Sequence, residues 1–311
     1  MNSQISLLIP AYNAAPFIGN LIADARAQSP QFSEILVYDD ASTDSTAEVA
    51  TSLGVDRVIS GKINRGAAHA RNQLIEAASC PWVHFHDADD RLDKDYLQIV
   101  TAATPKLDEF LFCGMRIYHV GSQKHGPSYE FTHLNGENNL GVFLKNNLPM
   151  GCGLYPTESL RRINGFREGI RGGEDFDLHI RLILSGTCFR AIPEVLCTYC
   201  RYGNITFTET NLHQLQSDVL TVYEKYLQEL PAKYQPVVGE LLMEHAYKLY
   251  ANRQFAEATQ AIKLAKSAGR NTVSSSHAFL RLLSGTIGVG PVFRLRSVSN
   301  RLRQWLAPRS S

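Results

Sequence analysis

The first ninety residues alternate short apolar runs with segments of helical period, and this alternation constrains the fold more than any other feature of the chain. Ile5-Ser6-Leu7-Leu8-Ile9 reads as a buried strand closed by Pro10. Phe17, Ile18, Leu21, Ile22 and Ala25 then recur at helical spacing. Residues 35–38 form a second strand ending at Asp39-Asp40, and Ser45 with Glu48 makes a capping-box pattern before an Ala/Val helix. Gly54 ends that helix, Arg57-Val58-Ile59 is a third strand, and Asn64-Arg65-Gly66 a turn into a helix over 67–78. Trp82-Val83-His84-Phe85-His86 is a fourth strand. This rhythm predicts an α/β fold with a mostly parallel central sheet flanked by helices.

Parallel strands bring their carboxyl ends to one edge, where open α/β sheets bind ligands. Four strand ends, or the turns just after them, are polar here: Tyr12-Asn13, Asp39-Asp40, Asn64-Arg65 and the stretch Asp87-Ala88-Asp89-Asp90. The last places three carboxylates within four positions. Like charges so close repel, and their burial is costly unless a cation neutralises them. Hard cations such as Mg2+ or Mn2+ take carboxylate oxygens and water. A solvated acidic turn would read the same way, and the convergence of the four ends is what favours a metal site. Neither G-x-G-x-x-G nor G-x-x-x-x-G-K-[ST] occurs, so a dinucleotide fingerprint and a P-loop are unsupported.

Further on, residues 110–118 form another strand and residues 119–139 a long Gly/Ser/His/Asn-rich loop. Residues 160–165 suggest a short helix stopped by glycine. Gly172-Gly173-Glu174-Asp175 sets an acidic pair where a helix begins; helix capping by Asp175 is the plain alternative to a chemical role. Cys197-Thr-Tyr-Cys200 lacks a second ligand pair and reads as strand filling. From Thr206 the pattern is helical, over 215–227 and 237–250 with Pro231 and Pro236 between, so residues 1–205 are expected to form one domain and 206–311 a helical region. Met243, Tyr247 and Tyr250 read as core, and residues 246–265 loosely resemble one tetratricopeptide hairpin or a plain helical cap.

With these pieces in place, residues 4 to about 205 resemble the inverting family 2 glycosyltransferases of GT-A fold. The carriers are Ile9-Pro10-Ala11-Tyr12-Asn13, Val37-Tyr38-Asp39-Asp40-Ala41-Ser42-Thr43-Asp44, Asn64-Arg65-Gly66 with Ala70-Arg71-Asn72, Asp87-Ala88-Asp89-Asp90, Gly165-Phe166 and Gly173-Glu174-Asp175. The resemblance implies that Pro10, Ala11, Tyr12, Asn13 and Asp39 hold the nucleoside, with Arg65, Gly66, Arg71, Asp87 and Ala88 also on the nucleotide-sugar. It implies Asp89 as the direct ligand of Mn2+ or Mg2+ and Asp87 near the ribose or a metal-bound water. Asp175 matches the catalytic base, with Gly173 and Glu174 on the acceptor side. The donor would be a nucleoside-diphosphate sugar, UDP-linked, and the acceptor a glycan or lipid-linked hydroxyl in cell-surface polysaccharide synthesis. Ala41 stands where the family usually has Gly, and no Q-x-x-R-W follows Asp175, which argues against a processive synthase.

Two other readings stay open on residues alone. His84-x-His86 followed by Asp87 has the H-x-H form of metal-dependent hydrolases, although Ala88 and Asp89 stand where an Asp-His would complete it. A silent binding module of the same fold is the other. The net charge is +1, so a nucleic-acid partner is not expected. No Asp or Glu follows Glu257, whereas nine Lys and Arg do, so the body is acidic and the tail basic. The tail, rich in Arg with Phe293, Leu302 and Trp305, suits either an anionic membrane surface or packing on an acidic protein face. No run approaches the ~20 apolar residues of a membrane span. The expected place is the cytoplasm, with peripheral contact at the inner membrane face.

Overall fold

A computed structural model describes residues 4–136, 140–203, 211–272 and 289–293. The chain divides into two compact units, Met1–Thr206 and Phe207–Ser311. The first begins with β1 (Ile5–Ala11), α1 (Ile18–Arg26), β2 (Glu34–Asp39), α2 (Thr46–Ser52), β3 (Arg57–Ser60), α3 (Ala67–Ala77) and β4 (Trp82–Phe85). It continues through β5 (Arg91–Leu92), α4 (Tyr96–Ala102), β6 (Glu109–His119), β7 (Lys124–Tyr129) and α5 (Leu140–Lys145). It ends with β8 (Gly153–Pro156), α6 (Thr157–Arg162), α7 (Glu174–Leu184) and β9 (Cys188–Arg201).

The strands form one sheet in the order β3-β2-β1-β4-β8-β6-β9-β5, with β7 beside β6. The first four are mutually parallel, as the strand–helix rhythm predicts. β1 lies between β2 and β4 and is covered on both faces. Its run is therefore apolar on both faces rather than alternating, save for Ser6, whose hydroxyl donates to Glu34 at 2.6 Å, and Leu7, Leu8 and Ile9 are fully buried. Each such side chain contributes about 1.5–3 kcal/mol of transfer free energy. Beyond β4 the sheet turns mixed: β8 pairs antiparallel with β4 and with β6, and β6 pairs parallel with β9. This block brings β9 close behind the end of β4.

Two local expectations change. Ser45 is the N-cap of α2 but its side chain makes no cap bond. Asp44 replaces it, accepting from the Thr46 N–H at 3.0 Å and from the Thr46 hydroxyl. The segment 119–139 is not all loop, because β7 folds back on β6 and a 3-10 turn follows at Thr132–Leu134; residues 137–139 of that segment lie outside the described residues. Ala41 keeps the turn that a glycine would make, at φ +60°.

In the second unit α8 (Leu212–Glu229), α9 (Gln235–Ala251) and α10 (Phe255–Ser267) pack through Leu220, Val222, Tyr226, Leu242, Met243, Ala246 and Ala261. Pro236 falls in the first turn of α9, where its missing N–H is not needed. Met243 is core, and Tyr247 and Tyr250 are half-buried against Phe293, with ring centroids at 5.5 and 5.9 Å. The basic tail from Arg294 onward lies outside the described residues.

The left-handed backbone at Ala41 generates a prediction. An L residue there costs ~1–2 kcal/mol; glycine removes that cost but loses part of the gain to its freer unfolded chain. Ala41→Gly is expected to stabilise the protein by about 0.5–1 kcal/mol in urea melts. An unchanged or lower stability would count against strain at this turn.

Candidate functional site

The carboxyl ends of β1, β2 and β4 and the turn before α3 meet along one edge. β1 and β2 run in register, Pro10 beside Tyr38 and Ala11 beside Asp39. Asp39 is buried, and its Oδ1 accepts from the Ser42 N–H at 3.1 Å. Asn13 Oδ1 accepts from the Thr43 N–H at 2.8 Å, and the Asn13 N–H donates to Ser42 Oγ at 2.9 Å. Pro10, Ala11, Tyr12, Asn13 and Asp39 thus make one continuous wall, with the Tyr12 ring half exposed on its rim. Asp40 accepts from the Arg65 N–H at 3.0 Å and the Gly66 N–H at 2.7 Å. Those bonds clamp the turn before α3 onto the end of β2 and aim the helix. Gly66, at φ +91°, is what lets the backbone enter α3 from that turn.

Arg71 projects from α3 and is buried. Its guanidinium donates to Asp87 at 3.0 Å, to Asp175 at 3.2 Å and to Glu174 at 3.4 Å. The Phe166 ring lies beneath it, 5.4 Å from centroid to Cζ. Asn72, the next residue, explains Phe166: its Oδ1 accepts the Phe166 N–H at 2.7 Å and its Nδ2 donates to the Phe166 carbonyl at 2.9 Å. Gly165 is required there, because a Cβ would fall 2.3 Å from Asn72 Oδ1. Although burial pulls Arg71 down, the charges of Asp175, Asp87 and Glu174 outweigh it and raise its pKa.

Glu174 and Asp175 open α7 behind Gly173, whose left-handed φ of +83° starts the helix. Neither acid caps it, since the N-cap is Gly173 and no side-chain cap bond forms. Desolvation first and the neighbouring Asp175 charge second push Glu174 up to about 7. Burial likewise raises Asp175, opposed by Arg71 and by the Met150 N–H that it accepts.

After β4 the chain turns through Asp87–Asp90, closed by the Asp90 N–H to the Asp87 carbonyl at 3.1 Å. The three carboxylates separate in role. Asp87 faces Arg71 and is half exposed. Asp89 reaches solvent, yet desolvation by surrounding protein, then the Asp87 charge, raises its pKa. Asp90 turns inward to accept the Cys200 N–H at 2.8 Å. The Tyr202 hydroxyl holds the Asp89 carbonyl at 2.9 Å, so the end of β9 fixes this loop. Ala88 is buried between the acids.

The residues that the family resemblance named therefore gather along one sheet edge, whereas His84 and His86 lie sealed behind it. Two were not named. Glu168 accepts from Arg65 at 2.6 Å and meets His69 Nδ1 at 3.0 Å, and His69 Nε2 meets the Tyr38 hydroxyl at 3.2 Å. Glu168 holds the Arg65 side chain from a loop a hundred residues away, with no local pattern to mark it. His84 and His86 do share a face, but both are shut off from solvent. A hydrolytic metal centre keeps an open coordination position, which a sealed pair does not offer.

A family model described as glycosyl transferase family 2 matches residues 6–155. The uncharacterized glycosyltransferase RC0461 of Rickettsia conorii is 29% identical over 255 residues, 78% of this chain and 40% of that protein. The chain thus spans about two fifths of that relative's length. The succinoglycan biosynthesis protein ExoU of Rhizobium meliloti is 31% identical over 215 residues, 61% of this chain and 60% of that one. Among solved structures, TarS 1-349 of S. aureus in complex with UDP-GlcNAc superposes with a TM-score of 0.70 at 18% identity, over 97% of this chain and 92% of that one. The mannosyltransferase PcManGT from Pyrobaculum calidifontis, in complex with GDP-Man and Mn2+, gives 0.58 at 18%, over 97% and 82%. Among the described residues no helix is long and apolar enough to cross a membrane. By its matched segment, its relatives and its fold, this chain is similar to the family 2 glycosyltransferases and has the GT-A architecture.

Proposed function

We propose that the protein transfers a sugar, with inversion, from a UDP-sugar to a hydroxyl of a glycan or lipid-linked acceptor. The observation that carries this reading is Arg71, which binds Asp87 and Asp175 at once and so fixes the leaving-group wall against the candidate base. TarS holds UDP-GlcNAc on this fold, and PcManGT holds GDP-Man with Mn2+, which supports a nucleotide-sugar in the cleft. The ExoU relative is a succinoglycan biosynthesis protein, which supports a glycan acceptor.

The cleft fits a divalent cation on its own charges. One buried guanidinium faces Asp87, Glu174 and Asp175, and Asp89 stands beside Asp87 with a raised pKa. Carboxylates in excess of their cations leave negative charge that a diphosphate would only worsen. Asp89 and Asp87 would hold Mn2+ or Mg2+. Once bound, the ion would neutralise charge developing on the departing diphosphate. The remaining work falls to the chain. Asp39 accepts from the base ring N–H, while Pro10, Ala11, Tyr12 and Asn13 flank the nucleoside. Asp175 takes the proton of the acceptor hydroxyl as that oxygen attacks the anomeric carbon from the face opposite the leaving group. Arg71 favours the ionised form of Asp175 and aims it.

Asp175→Asn is expected to retain UDP-sugar binding by calorimetry while transfer falls by roughly 10²–10⁴-fold. Undiminished turnover would remove Asp175 from the role of base. In a panel of nucleotide-sugars, a UDP-linked donor with Mn2+ is expected to raise the melting temperature most; stabilisation by other bases alone would reassign the nucleoside.

Glu174 yields a pH prediction. Its folded pKa of about 7 lies above the unfolded value, so between about 4.5 and 7 the folded state binds the extra proton. Folding stability from this group is full below that window and is lost as pH rises through it. Without divalent cation the melting temperature should fall from pH 5 to 7.5, and Glu174→Gln should flatten that slope. An equal slope in the variant would place the dependence elsewhere.

A further inference from the structure

Directly behind the Asp87–Asp90 loop lies a second cluster that the proposed transfer does not use. His84 comes from β4 and His86 follows its last residue, two positions apart and so on one face. Cys113 comes from β6, Cys197 from β9, and Cys152 from the 3-10 turn Met150–Cys152 that leads into β8. The pairings of β4 with β8, β8 with β6 and β6 with β9 bring the five together. All five are buried.

Their donor atoms fall into two sets that share Cys197. One atom each from His84, His86 and Cys197 lie within 4.8 Å of one another, and so do those of Cys113, Cys152 and Cys197. His84 Nε2 is 3.1 Å from His86 Nδ1, and Cys113 Sγ is 3.5 Å from Cys197 Sγ. In tetrahedral Zn2+ sites with bonds of ~2.0–2.1 Å to nitrogen and ~2.3 Å to sulfur, neighbouring donors lie about 3.3–3.8 Å apart. The N···N and S···S separations are close to those edges.

The outer contacts have the form of a metal site. The Gly153 carbonyl, 2.9 Å from His84 Nδ1, can only accept, so Nδ1 carries the proton and Nε2 turns its lone pair toward His86. The Tyr96 hydroxyl, 2.8 Å from the same nitrogen, orients the ring further. His86 is held in turn by the Arg91 backbone.

We propose that four donors drawn from His84, His86, Cys113, Cys152 and Cys197 form a buried tetrahedral site for one cation of the Zn2+ class, with Cys197 the ligand common to both donor sets. Thiolate and imidazole select such borderline-soft ions, whereas the oxygens of Asp87 and Asp89 suit Mg2+ or Mn2+, so the two sites differ in chemistry. Each coordinating cysteine gives its thiol proton to solvent as its sulfur–metal bond forms. Sealed from water, the site is structural. It ties β4, β6, β8 and β9 together behind the donor loop and braces the turn whose Met150 N–H holds Asp175.

The test uses the full chain, reduced and stripped of metal with a chelator, then titrated with Co2+. One equivalent is expected to give tetrahedral visible bands with thiolate-to-Co2+ charge transfer in the near ultraviolet, all displaced by one equivalent of Zn2+. The same spectrum is expected in the Asp87→Asn/Asp89→Asn double variant, and its loss in Cys197→Ala. Cys113→Ser should weaken Zn2+ binding at least tenfold, and it provides the mutational arm should Cys197→Ala fail to fold. Co2+ bound without thiolate bands, no uptake of either ion, or bands that survive in Cys197→Ala would overturn the site. So would a Cys113–Cys197 disulfide in protein purified without reductant.

Discussion

The buried guanidinium of Arg71 is the interaction on which the rest of the site depends. A lone buried cation is costly, and removing its partners would leave an uncompensated charge inside the fold. Arg71 escapes that cost by meeting acids from two distant segments, Asp87 after β4 and Glu174-Asp175 at the start of α7. Its planar fork allows two nitrogens to serve three carboxylates while its face rests on Phe166, a geometry an ammonium would not reproduce. The supports are equally specific. Asp40 aims α3, Asn72 fixes Phe166, and Gly165 leaves room for Asn72. The scattered short motifs are the parts of one bracket.

The bracket is deliberately short of positive charge. Burial and mutual repulsion hold Glu174 near 7 and raise Asp89, which means the acids are not satisfied by Arg71 alone. A cleft built to receive a diphosphate by direct ion pairing would carry an excess of Arg and Lys. This one carries an excess of carboxylate, which suits an anion that arrives with a dication. Burial raises the Asp175 carboxyl and Arg71 opposes that rise, so the proposed base is more basic than a free carboxylate yet still paired with a cation.

The sheet and its functional edge were legible because parallel strands force their carboxyl ends together, so polar residues after β1, β2 and β4 had to meet. What was not legible has a common cause. Glu168 reaches Arg65 across a hundred residues of chain, and Cys197 finds Cys113 on another strand and Cys152 in a turn; no local spacing records such meetings. Cys197-x-x-Cys200 drew attention as a pair, but along a strand that spacing puts the two thiols on opposite faces, and only Cys197 joins the cluster. At α2 the pattern misled in a smaller way, since Asp44 takes the place that Ser45 was expected to fill. The hairpin of β7 on β6 has a strongly polar sequence that reads as loop, because it is largely exposed and needs no apolar face.

The loop after β4 shows how the two parts of the protein's chemistry are joined. Its outward acids, Asp87 and Asp89, serve the cleft, whereas its inward residues anchor it: His86 in the buried cluster, Asp90 on the Cys200 N–H, and the Asp89 carbonyl under the Tyr202 hydroxyl. Two of those three anchors come from the end of β9, the strand that also carries Cys197. The turn Met150–Cys152 repeats the arrangement, with one end on Asp175 and the other in the cluster. Leaving-group wall and candidate base are thus coupled twice, through Arg71 in front and through the cysteine–histidine cluster behind. Displacement in one step needs the departing oxygen and the base on opposite sides of a single carbon, so the geometry must be held more tightly than loops alone can hold it. The cluster behind the cleft joins β4, β6, β8 and β9 at the place where such support is needed.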